Sequence, residues 1–354
     1  MTRLMSNTRL RIATFAGLLF LALLVGATAG WGTLAISIKG PQDTTLRNAL
    51  ALAFACTGLA ALVALPWQRW RWHALGAYLA VLVPLGVWWS GIEPANDRQW
   101  QADVAVQPYA TVEGDLVNVH NIRNFDYRSE TDYTPAWYDK RFDLRELQGV
   151  DMIAVYWMGP AIAHVFLSFD FGGDDRLAIS IETRKEQGEG YSTLRGFFRE
   201  YELYYVVADE RDVIRLRTNY RREPPEQVYI FPLQGEVDNA RRVFLEYIKR
   251  INALHERPEF YNTLTTNCTT TIWMNSRVNP NHLTFDWKIL ASGYLPEYLY
   301  EQGRLADQGL SFTELQQRVH VNARAQAADK AADFSRRIRE QPAGANLGEH
   351  EASR

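Results

Sequence analysis

The chain has 354 residues, 47% of them hydrophobic and 22% charged, with a formal net charge of −3. A balance this close to neutral gives no reason to expect a nucleic acid partner. Apolar residues crowd the N-terminus, which excludes a uniformly soluble chain and makes a lipid bilayer the first expected partner.

Three apolar runs come first, at about residues 12–38, 49–65 and 74–92. Each approaches or passes the roughly 20 residues that a helix needs to cross a bilayer. The first run follows several arginines, as a secretory leader would. Its apolar core is long for a leader and two further spans follow, so a retained anchor is expected. Arg3, Arg9 and Arg11, and the linker with Arg69 and Arg71, predict a cytoplasmic N-terminus under the positive-inside rule. Three spans then put everything after Ile92 outside the cytoplasm, with Trp88 and Trp89 at the outer interface. The expected organisation is a membrane anchor over 1–93, an extracytoplasmic domain over 94–310 and a polar tail over 311–354. That tail reads as a surface helix followed by disorder.

Within the domain, Leu116–Ile122 alternates apolar and polar residues and reads as a strand. Residues 127–140 read as a loop. Strands are expected at 150–157, 161–169 and 177–182, the last two forming a hairpin around Gly172-Gly173. A further strand pair is expected at 203–208 and 213–217, and one more strand at 227–233. The aromatic stretch 197–205 reads as core, with the lining of an acyl groove as the alternative. The period then changes. Val237, Ala240, Phe244, Tyr247, Ile248, Ile251 and Leu254 recur at three- and four-residue spacing, the mark of an amphipathic helix that Pro258 ends. The expected class is α+β: an antiparallel sheet with helices packed on one side.

There are only two cysteines, and Cys56 lies in an apolar run. Cys268 therefore has no partner for an intramolecular disulfide in its own compartment. A lone thiol there is a liability unless it is buried, paired between chains or chemically used. It stands in Thr265-Thr266-Asn267-Cys268-Thr269-Thr270-Thr271, where several residues suit a helix N-cap. A helix start lowers a thiol pKa, and so does a nearby histidine. That makes Cys268 a candidate nucleophile. Among the histidines, His164 is the best base, because it lies on an expected inner strand. His320 and His350 fall in the tail, His255 ends a helix, His282 is in a loop, and His120 sits at a polar strand position. Ser180 and Glu182 share one face of the neighbouring strand, and Glu182 is the candidate that orients the imidazole. A strand histidine is more often a core residue and Glu182 more often a solvated strand end; the thiol is what shifts the balance. No cysteine pair at metal spacing and no His-Glu-x-x-His occurs, so neither metal nor other cofactor is expected.

Several ordered motifs then resemble one family. They are 124–132, Trp137-Tyr138-Asp139, Ala163-His164-Val165-Phe166-Leu167-Ser168-Phe169, Glu182-Thr183-Arg184-Lys185-Glu186 and 259–270. Over about Asn96 to Arg277 the chain resembles proteins with the Lnb-type N-terminal periplasmic domain, relatives of lipoprotein transacylases. The resemblance implies a thiol nucleophile and a histidine base at Cys268 and His164. It places Asn267, Arg184 and Lys185 in shared motifs, as candidate substrate-binding residues. The order of histidine before cysteine is similar to permuted papain-like proteins. The Lnb-type resemblance, with the three spans, implies a multi-pass protein of the bacterial inner membrane with its main domain in the periplasm. The implied activity is cysteine-dependent acyl transfer through a thioester, on a lipidated or membrane-bound substrate, with a lipoprotein or lipid as acyl donor. A cell-wall amidase or peptidase of the same chemistry, or a non-catalytic envelope binding module, stays open beside it.

Overall fold

A computed structural model describes residues 2–340. It divides into two compact units. The first holds the chain up to Ala95 together with Ser192–Glu200, and the second holds Asn96–Tyr191 and the chain from Tyr201 onward.

The first unit is built on α1 (Thr2–Lys39), α2 (Thr44–Ala64) and α3 (Gln68–Ser90). Ile12–Lys39, Thr44–Ala64 and Gln68–Ser90 are each long and apolar enough to cross a membrane. Asp43 caps α2 by accepting from the Leu46 amide at 2.8 Å. Small residues let α1 and α2 approach closely: a Cβ added at Gly58 would sit 2.6 Å from Ala29 Cβ. Tyr78 of α3 donates to Thr28 of α1 at 2.9 Å, satisfying a hydroxyl among apolar neighbours. The segment Ser192–Glu200 closes the end of this unit. Arg199 lies 5.2 Å over the Trp89 ring and donates to the carbonyls of Trp89 and Ile92. Glu200 pairs with Lys39 at 3.2 Å.

The second unit is organised by one sheet. Its strands are β1 (Tyr109–Glu113), β2 (Leu116–Arg123), β5 (Trp137–Asp143), β6 (Gly149–Tyr156), β7 (Ala163–Asp170), β8 (Arg176–Arg184), β9 (Glu202–Ala208) and β10 (Gln227–Pro232). Two short strands, β3 (Asp126–Tyr127) and β4 (Tyr133–Thr134), pair apart from it. The order is β1-β2-β9-β8-β7-β6-β10, with β5 also on β2. All pairings are antiparallel except β2 with β9, which meet in parallel at Arg123 and Ala208. The helices are α4 (Glu210–Arg215), α5 (Val237–Glu256), α6 (Cys268–Ser276), α7 (Trp287–Leu290), α8 (Leu295–Glu301), α9 (Phe312–Val319), α10 (Asn322–Ala328) and α11 (Phe334–Arg337).

Both faces of the sheet are covered, so the central strands read as continuous apolar runs rather than alternating ones. On one face α5 buries Phe244, Tyr247, Ile248, Ile251 and Leu254. Phe244 meets Phe169 and Phe171 edge-on, at 5.0 and 5.5 Å between ring centres. On the other face Ile153, Phe166, Ala178 and Val206 pack against Val213 and Ile214 of α4 and against Ala325, Phe334 and Ile338.

The mixed class with a mostly antiparallel sheet is as expected, but four local readings differ. Helices cover both faces, not one. Val213–Arg217 is helical instead of a strand, because Asp209 caps the turn by accepting from the Arg211 amide at 2.9 Å. The stretch read as a loop over 127–140 contains the start of β5, which pairs with β2. Residues 312–337 are not a surface helix but three short ones: α9 buries Leu315 and Val319 in the α5-side core, while α10 and α11 bury Ala325, Ala328 and Phe334 in the second core. Arg339 follows them and clasps Glu210 of α4 with two nitrogens, at 2.6 and 2.8 Å, while also pairing with Asp151. The end of the expected tail, 341–354, lies outside the described residues.

Phe244 is fully buried at the junction of α5 and the sheet. Phe244→Ala should therefore cost about 3–5 kcal/mol of stability through lost burial and a residual cavity. Denaturant unfolding followed by far-UV circular dichroism measures this; a loss under about 1 kcal/mol would show that α5 is not a structural keystone.

Candidate active site

The β7–β8 ladder begins at Asp170 and Arg176 and ends at Leu167 and Ile179. Past that point β7 stays paired with β6 as far as Ala163 and Tyr156, and β8 with β9 as far as Arg184 and Glu202. The two central strands thus part, and side chains bridge them. His164 Nε2 lies 2.7 Å from Ser180 Oγ and 2.9 Å from Glu182 Oε1. Ser180 donates to Glu182 Oε1 at 2.8 Å. With Nε2 engaged on this side, Nδ1 is the nitrogen left for another partner.

That partner is Cys268, the first residue of α6. Asn267 is the N-cap, its side-chain oxygen accepting from the Thr270 amide at 2.8 Å. Thr269 fixes the helix sideways by donating to the Ile289 carbonyl at 2.5 Å. The half-buried Cys268 thiol hydrogen-bonds with His164 and accepts from the Val165 backbone N–H. Cys268, His164, Ser180 and Glu182 therefore form one connected set drawn from α6, β7 and β8.

The electrostatics favour charge separation along this set. Burial and the Arg217 charge oppose the imidazolium, but the Glu182 charge and the hydrogen bonds with Cys268 and Glu182 together raise His164 to about 9. Burial likewise opposes ionisation of Cys268, yet the His164 hydrogen bond and charge bring its pKa below the ordinary thiol value. Against burial, His164 and then Arg217 hold Glu182 well below the usual carboxylate range. A thiolate–imidazolium pair follows over a window that opens below the thiol's ordinary pKa and closes near 9.

The remaining sequence candidates are placed elsewhere in this region. Asn267 uses its oxygen on the cap and its amide nitrogen on the Thr263 carbonyl at 2.8 Å. Arg184 is buried, stacked 4.3 Å from the Trp100 ring centre and bonded to the carbonyls of Val104 and Ala105. The Lys185 carbonyl accepts from the Gln101 amide. The structure brings neither Arg184 nor Lys185 to Cys268 or His164. His120 stacks on Tyr109 and pairs with Asp139, and His320 meets Tyr229 and Gln227. His350 lies outside the described residues. Arg217, which sequence reasoning placed on a strand, instead reaches Glu182 Oε1 at 3.1 Å. No spacing rule links residues so far apart in the chain, so only the fold brings them together.

Residues 133–293 match the family model described as the Lnb N-terminal periplasmic domain. This stretch is similar to that family's domain. The match starts later and ends later than the motif resemblance, and it contains Cys268, His164 and Glu182. Together with the three spans, it makes the chain a membrane protein with a periplasmic domain. No curated protein and no solved structure matches the chain.

The charge window can be measured through alkylation of Cys268 in the full chain carrying Cys56→Ser. The thiolate–imidazolium pair gives a plateau, and a second rise near 9 marks loss of the imidazolium proton. Glu182→Gln removes the anion that raises His164, so the second step should fall toward the ordinary histidine value of about 6.5. A step that stays near 9 in this variant would remove Glu182 from the role.

Proposed function

We propose that this chain is an inner-membrane enzyme whose periplasmic domain carries out cysteine-dependent acyl transfer on a lipidated or membrane-bound substrate. The observation that carries the reading is the hydrogen-bonded set of Cys268, His164 and Glu182, with the thiol at a helix start. Cys268 acts as nucleophile, His164 as base and then acid, and Glu182 as the group that orients the imidazole. In the first half, Sγ bonds to the carbonyl carbon of the donor. The bond to the donor's oxygen or nitrogen breaks, and that atom takes the proton held by His164. In the second half the acceptor's hydroxyl or amine gives its proton to His164 and attacks the thioester. The S–C bond breaks, and the thiolate is restored.

The α6 start suits the developing oxyanion. Asn267 takes the Thr270 amide with its side chain and the Thr271 amide with its carbonyl, which leaves the amides of Cys268 and Thr269 outside the helix's own ladder. An apolar cavity of about 230 Å³ supports an acyl substrate. Leu167 of β7, Thr269, Ile272 and Trp273 of α6, and Ile289 of α7 line it; Cys268 and His164 are not in its lining but share β7 and α6 with it. The order of histidine on a strand and then cysteine on a helix supports a permuted papain-like arrangement. Membrane spans support a membrane-bound donor, because a tether raises local concentration.

Turnover should drop by about a thousandfold or more in Cys268→Ser, with folding unchanged. The direct test incubates the full chain in proteoliposomes with a phospholipid or lipopeptide bearing an alkyne-tagged acyl chain. The expected result is a hydroxylamine-sensitive tag on Cys268, absent in Cys268→Ser and in His164→Ala. Peptide release from peptidoglycan with no acyl tag would replace this reading with an amidase. Full complementation by Cys268→Ala would replace it with a binding module.

A further inference from the structure

Glu182 does not serve His164 alone. One oxygen, Oε1, accepts from Ser180, lies 2.9 Å from His164 Nε2 and also accepts from Arg217 Nη2 at 3.1 Å. Arg217 is only 6% exposed. Its guanidinium carbon lies 5.8 Å from the Phe166 ring centre, and that ring is also 5.8 Å from the His164 ring. Behind Arg217 stands Glu226, 3.4 Å away, which Arg221 also holds at 3.0 Å. Arg221 in turn reaches the more exposed Glu130 at 3.3 Å. From Cys268 outward the charges alternate in sign through His164, Glu182, Arg217, Glu226, Arg221 and Glu130.

The local backbone makes this reach possible. After α4 the helix widens to π-type bonding over Leu216–Tyr220, with the Arg221 amide donating to the Leu216 carbonyl at 3.0 Å. Such widened turns are uncommon and concentrate at functional sites. Here Arg215 turns to Asp329 while Arg217 turns to Glu182.

We propose that Arg217 is a positioning residue that limits how tightly Glu182 holds the His164 proton, so that the imidazolium stays acidic enough to return it to a leaving group. This rests on the Cys268–His164 reading above. The physical case is a competition for one oxygen. A carboxylate facing a buried imidazole, with no competitor, over-stabilises the imidazolium, and a general acid works best with a pKa near the working pH. A guanidinium on the same oxygen withdraws part of that stabilisation, and its own charge repels the imidazolium. The groups that face His164 are Ser180 and Glu182 from β8, Arg217 from the π turn and Cys268 from α6, with apolar Val155 opposite it on β6. Glu182 keeps Ser180 and His164 when Arg217 is removed, so it stays in place and the charge effect dominates.

The test measures Cys268 alkylation against pH in the full chain with Cys56→Ser, alongside turnover. Three variants are compared: Arg217→Met, Arg217→Lys and Arg217→Met with Glu226→Gln. The double variant removes one charge of each sign, so it keeps the comparison available if Arg217→Met fails to fold. The expected result is an upper step that moves up by about one pH unit when the charge is removed and stays in place in Arg217→Lys. The turnover number should fall with KM unchanged, since the substrate does not touch Arg217. An unmoved upper step in the folded double variant overturns the proposal. So does a downward shift, which would make Arg217 a mere prop for Glu182. An ordinary thiol profile in the parent protein overturns the site reading instead, and this inference with it.

Discussion

The site depends on a place where two central strands stop pairing. β7 and β8 are joined from Asp170 to Leu167 on one strand and from Arg176 to Ile179 on the other, and then diverge. Paired strands would occupy the Val165 amide with a carbonyl. Parted strands leave it to meet the Cys268 sulfur. The gap also gives His164, Ser180 and Glu182 room to bond side chain to side chain. Because β7 is still held by β6, and β8 by β9, the gap keeps a fixed width. The geometry of the candidate site is thus set by strands that stay paired on their outer sides, which suits a site that must hold its groups within a fraction of an ångström.

The same domain also carries several buried charges on the face of the sheet that α4 covers. Arg123 binds Asp212 through Nε and Nη2, Arg339 binds Glu210 and Asp151, and Arg217 lies between Glu182 and Glu226. Removing one partner of such a pair strands the other, at a cost of about 3–5 kcal/mol, so these pairs define one arrangement of the helices. α4 contributes to two of the three, through Asp212 and Glu210. The short helix that reads as a strand in the sequence is therefore the hub of the second face.

Much of this was legible in the sequence, and the rest failed for local reasons. The three spans, the β7–β8 hairpin, the amphipathic α5 and the placement of Cys268 at a helix start all follow from periodicity and capping, which act over a few residues. Val213-Ile214-Arg215-Leu216-Arg217 misled because a helix buried on all sides also hides its arginines, so polarity stopped reporting exposure. Residues 312–337 misled for a related reason: alanines and a few apolar residues are enough to fill a core when large aromatics already line its floor. Glu182 could be nominated from its face on β8. Arg217 could not, since its contact is made by a π turn and a fold, not by spacing.

The Arg339 clasp has a consequence for how the domain comes into being. Glu210 is fully buried, with Arg339 as its countercharge, yet 128 residues of chain separate the two. A polypeptide that emerges N-terminus first delivers Glu210 long before it delivers Arg339. During that interval the sheet's second face lacks the Phe334 and Ile338 lid, and the carboxylate lacks its cation. The half of the domain that bears Cys268 and His164 is already complete in sequence by then. In order of synthesis, the last helices are therefore the final pieces this face receives, and only with them does Glu210 gain the Arg339 countercharge.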